Sequence, residues 1–154
     1  MMSKKIRFGI FGSGRGGSLI GNIYASGGEV VAICDRRPAA VAAYKNAFPV
    51  CKDATEYSDF DEFIKHDMDA VLLGNYFCEH AEYAIKAMRA GKHVLSETIS
   101  NVTMADGVAL VRAKEETGMT YALLENYPNF KENLEMERVF KDGTLGSLVY
   151  AEGE

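Results

Sequence analysis

The chain has 154 residues, 47% hydrophobic and 25% charged, which fits one folded domain with a real core and argues against a disordered chain. Seventeen Lys and Arg against 22 Asp and Glu leave a net charge of −5, so few cations are free to neutralise phosphates, and a nucleic-acid or anionic-membrane partner is disfavoured. No apolar run approaches the roughly 20 residues of a spanning helix, and the basic start is followed by a short apolar stretch broken by Gly9, Gly12 and Gly14, so neither a membrane span nor a secretory signal is expected.

In chain order, Ile6 to Phe11 reads as a first buried strand ending on glycines. Leu19, Ile20, Ile23 and Tyr24 recur at helical spacing, and Gly27-Gly28 stops that helix. Glu29 to Asp35 is a second strand, β-branched at Val30, Val31 and Ile33. Pro38 suits the first turn of the next helix. A short third strand is expected around Val50, then a short helix near Asp59 to Lys65. Ala70 to Leu73 is a fourth strand, and Ala81, Ala84, Ile85 and Met88 mark a helix face ending at Gly91. His93 to Ser96 is a fifth strand. Thr103 to Asp106 resembles a capping box, with Asp for the usual Glu, and opens a helix that stops at Gly118. Met119 to Leu124 is a sixth strand, Phe130 to Lys141 a last helix, and Leu148-Val149-Tyr150 starts one more strand. This alternation predicts an α/β fold: a Rossmann-type, doubly wound parallel sheet with helices on both faces.

Gly12-Ser13-Gly14-Arg15-Gly16-Gly17 reads G-x-G-x-x-G between the first strand and the first helix. Gly12 allows a tight turn, Gly14 lets the backbone approach a pyrophosphate, and Gly17 lets the helix pack close to the strand. The pyrophosphate then sits on free N–H groups at the helix start. Asp35 closes the second strand, where an acidic side chain accepts from both ribose hydroxyls and repels a 2′-phosphate. Together these predict dinucleotide binding, with NAD favoured over NADP; Arg36 and Arg37 complicate that choice, because one of them could stack on adenine or contact a 2′-phosphate. A P-loop is excluded, since no G-x-x-x-x-G-K-[ST] pattern occurs.

Ligands in such sheets bind beyond the carboxyl ends of the strands. That directs attention to Gly74 to His80, including Asn75, Tyr76 and Phe77, to Glu97 to Ser100, and to Glu125 to Pro128, with Asn126. His80 at a helix start could donate to a cofactor or move a proton, against the plainer reading of a surface His; His66 and His93 read as structural or solvated. Tyr76 and Tyr127 fall in strand-end loops, and Tyr83 reads as packing. Cys78-Glu79-His80 cannot converge on one ion, so no metal is expected. Cys34, Cys51 and Cys78 are far apart and form no CxxC pair, the pattern of a reduced cytoplasmic protein.

These residues resemble the Gfo/Idh/MocA oxidoreductase family. The resemblance rests on Ile10 to Gly17, on Val31 to Asp35, and most of all on His80-Ala81-Glu82 followed by Ala90-Gly91-Lys92-His93-Val94-Leu95-Ser96-Glu97. It implies an NAD(P)-dependent oxidoreductase acting on a sugar, polyol or related hydroxy substrate. It also implies a layout of residues 1–125 as the cofactor-binding domain and 126–154 as a connecting helix and first strand of a C-terminal α/β substrate domain lying outside this chain. The chain is then the cofactor-binding half of an enzyme, inactive by itself, with the sugar-like substrate met through the other domain. A homo-oligomer is a further expectation, because the strand from Leu148 would otherwise be an unpaired edge.

Two departures stand out. The family usually has Glu-Lys-Pro after the fifth strand, with the Lys near the reacting hydroxyl; here the run is Glu97-Thr98-Ile99, and Thr98 cannot serve as a cationic acid/base. The family's Pro-Asn before the HAE helix is replaced by Tyr76 and Phe77. Cofactor contacts at Glu97 and Asn126 still carry over by resemblance. One branch of the superfamily is similar in lacking the Lys and uses tightly held NAD⁺ for redox-neutral glycoside cleavage, and Leu123-Leu124-Glu125-Asn126 looks like that branch. A non-catalytic NAD sensor is a third reading.

Overall fold

Successive residues of the apolar runs face opposite sides of one sheet. The computed structural model describes residues 5–152. Its elements are β1 (Arg7–Phe11), α1 (Ile20–Ala25), β2 (Glu29–Cys34), α2 (Pro38–Ala47), β3 (Thr55–Tyr57), α3 (Phe60–Phe63), β4 (Ala70–Leu73), α4 (His80–Arg89), β5 (His93–Ser96), α5 (Met104–Thr117), β6 (Tyr121–Leu123) and α6 (Lys131–Lys141). All strand pairings are parallel, in the order β3-β2-β1-β4-β5-β6. This is the expected doubly wound sheet.

Both faces are covered, so the central strands are apolar past their first residues, Arg7 of β1 and Glu29 of β2. Phe8 and Ile10 of β1 and Leu72 of β4 pack with Ile20 and Ile23 of α1 and Val41 and Tyr44 of α2. Phe11, Val71 and Leu73 face the other way, onto Phe60 and Phe63 of α3, Ala84 and Met88 of α4, and Leu110 and Ala113 of α5. Gly9 shares that second face, where a Cβ would lie 2.3 Å from the Met68 sulfur. Any side chain at position 9 would therefore displace the core.

Local chemistry set most boundaries as expected. Thr103 Oγ1 accepts from the Asp106 N–H at 3.1 Å, and the Asp106 carboxylate accepts from the Thr103 N–H at 3.2 Å, which completes the capping box of α5. Gly118 ends α5 in the left-handed region at φ 68°.

Three expectations need correcting. Val50 is not in a strand: Pro49–Cys51 forms a 3₁₀ turn, because Pro49 offers no N–H to a ladder, and the third strand comes later, at Thr55–Tyr57. The sixth strand starts at Tyr121 and not Met119, since Gly118 is still capping the helix. Leu148 to Tyr150 forms no strand among the described residues, and all three side chains are exposed. A strand needs a neighbour to accept its hydrogen bonds, and this segment has none here.

The chain divides into two units, Met1–Leu124 and Glu125–Glu154. The first holds the sheet. In the second, a 3₁₀ turn at Tyr127–Asn129 precedes α6; the Tyr127 and Phe130 rings pack at 5.1 Å, and Asn133 Nδ2 donates to the Tyr127 carbonyl at 2.6 Å. No helix among the described residues is long and apolar enough to cross a membrane.

Candidate functional site: a crevice at the carboxyl end of the sheet

β1 lies between β2 and β4, and the chain reaches these two neighbours by crossovers running in opposite directions. Beyond the carboxyl end of β1 the following loops part, which leaves room for a ligand. A crevice of about 410 Å³ opens there, within the range of small-molecule sites. It is lined by Phe11, Gly12, Gly14, Arg15, Asp35, Arg36, Arg37, Gly74, Asn75 and Tyr76, all in the first unit.

Backbone hydrogen bonds tie one strand end to the next. Gly12 N–H donates to the Cys34 carbonyl at 2.9 Å, Gly74 N–H to Phe11 at 2.8 Å, and Glu97 N–H to Leu73 at 2.9 Å. Gly12 turns at φ +90°, and a Cβ there would lie 2.5 Å from Asn75 N and Gly74 C. The loops after β1 and β4 therefore touch through a position that only glycine fits. Gly14 is the opposite case: nothing lies within 4 Å of where its Cβ would be. Its Cα faces open space, as a backbone that receives a ligand must.

The roles expected of the last two glycines are redistributed. Gly16, not Gly17, permits close packing onto the strands, since its Cβ would meet Ile10 Cγ2 at 2.8 Å and Leu72 Cδ2 at 3.3 Å. Gly17 lies against the Tyr44 ring of α2, 2.2 Å from the position of a Cβ. The first turn after the loop, Gly16–Leu19, is 3₁₀ and continues into α1.

Asp35 is 7% exposed, and both its oxygens carry donors. Oδ2 accepts from the Ser13 N–H at 3.0 Å and the Ser13 hydroxyl at 2.6 Å. Oδ1 accepts from the Arg37 N–H at 2.9 Å and Arg37 Nε at 3.4 Å. Burial disfavours the charge, but these donors outweigh burial and hold the carboxyl below its usual range. An ionised carboxylate has about four acceptor sites, so a ribose hydroxyl meets an oxygen already engaged. The long bond from the exposed Arg37 side chain is the weakest of the four and the first to yield.

Arg36 is pinned by another element. It donates to both oxygens of Glu79 at 3.1 Å and to the Tyr83 hydroxyl at 2.9 Å. The Tyr83 ring packs on Phe11 at 4.7 Å and Phe60 at 4.6 Å. Glu79 falls within the Gly74 to His80 stretch expected beyond the strand ends, and Tyr83 packs as expected; what the sequence reading lacks is that both hold Arg36. The available signal was their four-residue spacing at the start of α4, which puts both on one helical face.

Glu97, directly after β5, is 4% exposed. Its Oε2 lies 3.3 Å from Arg15 Nε, and its Oε1 is buried with no hydrogen-bond partner among the described residues. His80 is not a surface residue; it is 1% exposed. Its Nδ1 is 2.9 Å from the Ile99 carbonyl and its Nε2 is 3.3 Å from the Asn75 carbonyl. It thus clamps the loop after β4 to the loop after β5, holding Thr98 and Asn75 in place from behind. Tyr76 is exposed at the crevice rim and Phe77 is exposed on the 3₁₀ turn Phe77–Glu79. Asn126 stands in the second unit, at the start of the Tyr127–Asn129 turn. The structure therefore gathers Gly12 to Arg15, Asp35, Arg36, Asn75 and Tyr76 around one crevice and does not assign Asn126 to it.

The remaining candidates behave structurally. His66 Nδ1 lies 2.9 Å from the Tyr57 hydroxyl, and His93 Nδ1 accepts from the Thr120 N–H at 3.0 Å. Burial pushes the Cys34 thiol up to about 12, so it is inert at neutral pH.

A glycine-rich turn, an ionised carboxylate at the end of the neighbouring strand and a crevice at the switch point define a dinucleotide-binding domain of Rossmann type. Residues 6–124 match the sequence model of the oxidoreductase family with an NAD-binding Rossmann fold, and the chain belongs to that Gfo/Idh/MocA family. Among curated relatives, a glycosyl hydrolase family 109 protein of Bacteroides fragilis is 31% identical over 96% of this chain and 34% of its own length. A 1,5-anhydro-D-fructose reductase of Ensifer adhaerens is 31% identical over 86% of this chain and 39% of its own length. Among solved structures, the WlbA dehydrogenase of Bordetella pertussis, in complex with NADH and UDP-GlcNAcA, superposes with a TM-score of 0.83 at 28% identity, over 93% of this chain and 44% of that one. The chain thus spans about a third of the length of the curated relatives it matches.

Proposed function

We propose that this chain is the cofactor-binding part of an NAD-dependent oxidoreductase acting on a sugar, polyol or related hydroxy compound. The observation that carries the reading is Asp35: an ionised carboxylate bonded to Ser13 of the glycine turn and lining a crevice onto which Gly14 opens. Such a carboxylate suits a ribose diol and repels a 2′-phosphate. Bound NAD supplies a hydride acceptor. The residues proposed to hold and orient it are the Gly12 to Gly17 turn at the pyrophosphate, Asp35 at the adenosine ribose, and Asn75, Tyr76 and Glu97 toward the nicotinamide. Calorimetry tests the binding step. NAD⁺ should bind the 154-residue chain, and no detectable heat at millimolar NAD⁺ or NADH would overturn the reading.

Thr98 favours a second reading. A threonine there offers no cationic acid/base, and relatives named as glycosyl hydrolases stand beside a reductase at equal identity. In redox-neutral glycoside cleavage, hydride leaves and returns within one turnover. Aryl glycosides incubated with the full-length protein separate the readings: aglycone release at constant 340-nm absorbance supports cleavage, and net NADH formation from a free sugar supports oxidation. Tight NAD binding with neither activity supports a sensor.

A further inference from the structure

We infer that Glu79 and Tyr83, on the helix after β4, determine cofactor selectivity by holding Arg36 away from the position a 2′-phosphate would take. The inference rests on the dinucleotide reading above and names what enforces its preference.

The chain carries a conflict in its own sequence. Asp35 repels a 2′-phosphate, yet Arg36 and Arg37 follow it directly, and an arginine fork is well suited to phosphate. Both arginines line the same crevice as Asp35. Left free, Arg36 could swing over the ribose and offset the Asp35 charge. Both terminal nitrogens of its guanidinium are instead engaged from the start of α4, by three hydrogen bonds of 3.1 Å to the carboxylate of Glu79 at the helix cap and one of 2.9 Å to the Tyr83 hydroxyl.

Exposed ion pairs are ordinarily weak, and Arg36 is 53% exposed. Three features strengthen this one. The Glu79 contact is bidentate at one guanidinium nitrogen and shared by a second. Glu79 is itself held, accepting from Asn75 Nδ2 at 3.3 Å. The Tyr83 ring cannot drift, because it sits between Phe11 and Phe60 at the edge of the core and Lys86 Nζ lies 5.2 Å over its face. Arg36 therefore forms one wall of the crevice with its two terminal nitrogens engaged by Glu79 and Tyr83. Arg37 is held by Asp35 through the backbone N–H and Nε.

The test compares NAD⁺ and NADP⁺ binding by calorimetry to the wild-type chain, to Glu79→Gln and to Glu79→Gln/Tyr83→Phe. Gln keeps an acceptor for Asn75 and Phe keeps the ring packing, so the fold is preserved, and a melting temperature within a few degrees of wild type confirms it. The expected result is NADP⁺ binding at least about tenfold tighter in the double variant, with NAD⁺ changed by less than about threefold. Adding Arg36→Ala should abolish the gain, and 2′,5′-ADP should follow NADP⁺. A ratio that does not move, or two affinities that fall together, overturns the inference while NAD⁺ binding by wild type leaves the function standing. Absence of NAD⁺ binding by wild type overturns both.

Discussion

Two buried carboxylates follow strand ends, Asp35 after β2 and Glu97 after β5, and the protein treats them differently. Asp35 has every acceptor site engaged, by Ser13 and Arg37. Glu97 is more deeply buried, with one oxygen near the flexible side chain of Arg15 and the other unpartnered among the described residues. The Asp35 carboxylate is fixed by four hydrogen bonds, whereas the Glu97 carboxylate has one contact among the described residues, to Arg15. The residues between them, Gly12 and Asn75 on one loop contact and His80 behind, fix the spacing of the two carboxylates.

The largest way to break the comparison is to separate the loops. Gly12→Ala places a Cβ 2.5 Å from backbone atoms of Gly74 and Asn75 at a positive φ, so stability should fall by about 3–5 kcal/mol in urea titration and both carboxylate sites should be lost together. His80→Ala removes the clamp, and with it the ring nitrogens that lie 2.9 Å from the Ile99 carbonyl and 3.3 Å from the Asn75 carbonyl. A loss of about 2–3 kcal/mol is expected, with hydrogen exchange quickening in the loops after β4 and β5 and not around Asp35.

The next two changes contrast the carboxylates directly. Asp35→Asn should lower stability at pH 7 by about 1–2 kcal/mol and weaken NAD⁺ binding about tenfold or more. Because the folded-state pKa is depressed, this contribution is present above the unfolded value of about 3.9 and is lost as pH falls through the folded one. The stability difference between wild type and Asp35→Asn should therefore shrink below about pH 4. A constant difference down to pH 2.5 would show that the carboxylate charge is not what the donors stabilise. Glu97→Gln should be the mildest change, altering stability by less than about 1 kcal/mol because its partner Arg15 is largely exposed, while still reducing cofactor affinity.

Much of this was legible in the sequence because its causes are local. The strands at 70–73 and 93–96, the capping box at Thr103 and the stop at Gly118 follow from side-chain period, an Asp three residues after a Thr, and a glycine where φ must be positive. The Val50 strand failed for a local reason too, Pro49, whose missing N–H favours a turn. The strand at Leu148 failed because strand formation is not local: identical residues form a ladder only when a neighbour is present.

What the sequence determined alone is the fold class, the glycine turn and the acidic residue that closes the second strand, since each depends on neighbours a few residues away. Tertiary structure decided which glycine packs on which element, that Ser13 and Arg37 saturate Asp35, that His80 is a buried clamp, and that Arg36 is held by residues 43 and 47 positions later. Those facts depend on which strand ends and helix starts the crossovers bring together, as the loop after β2 meets the start of α4 at Arg36, and no spacing within either segment records it.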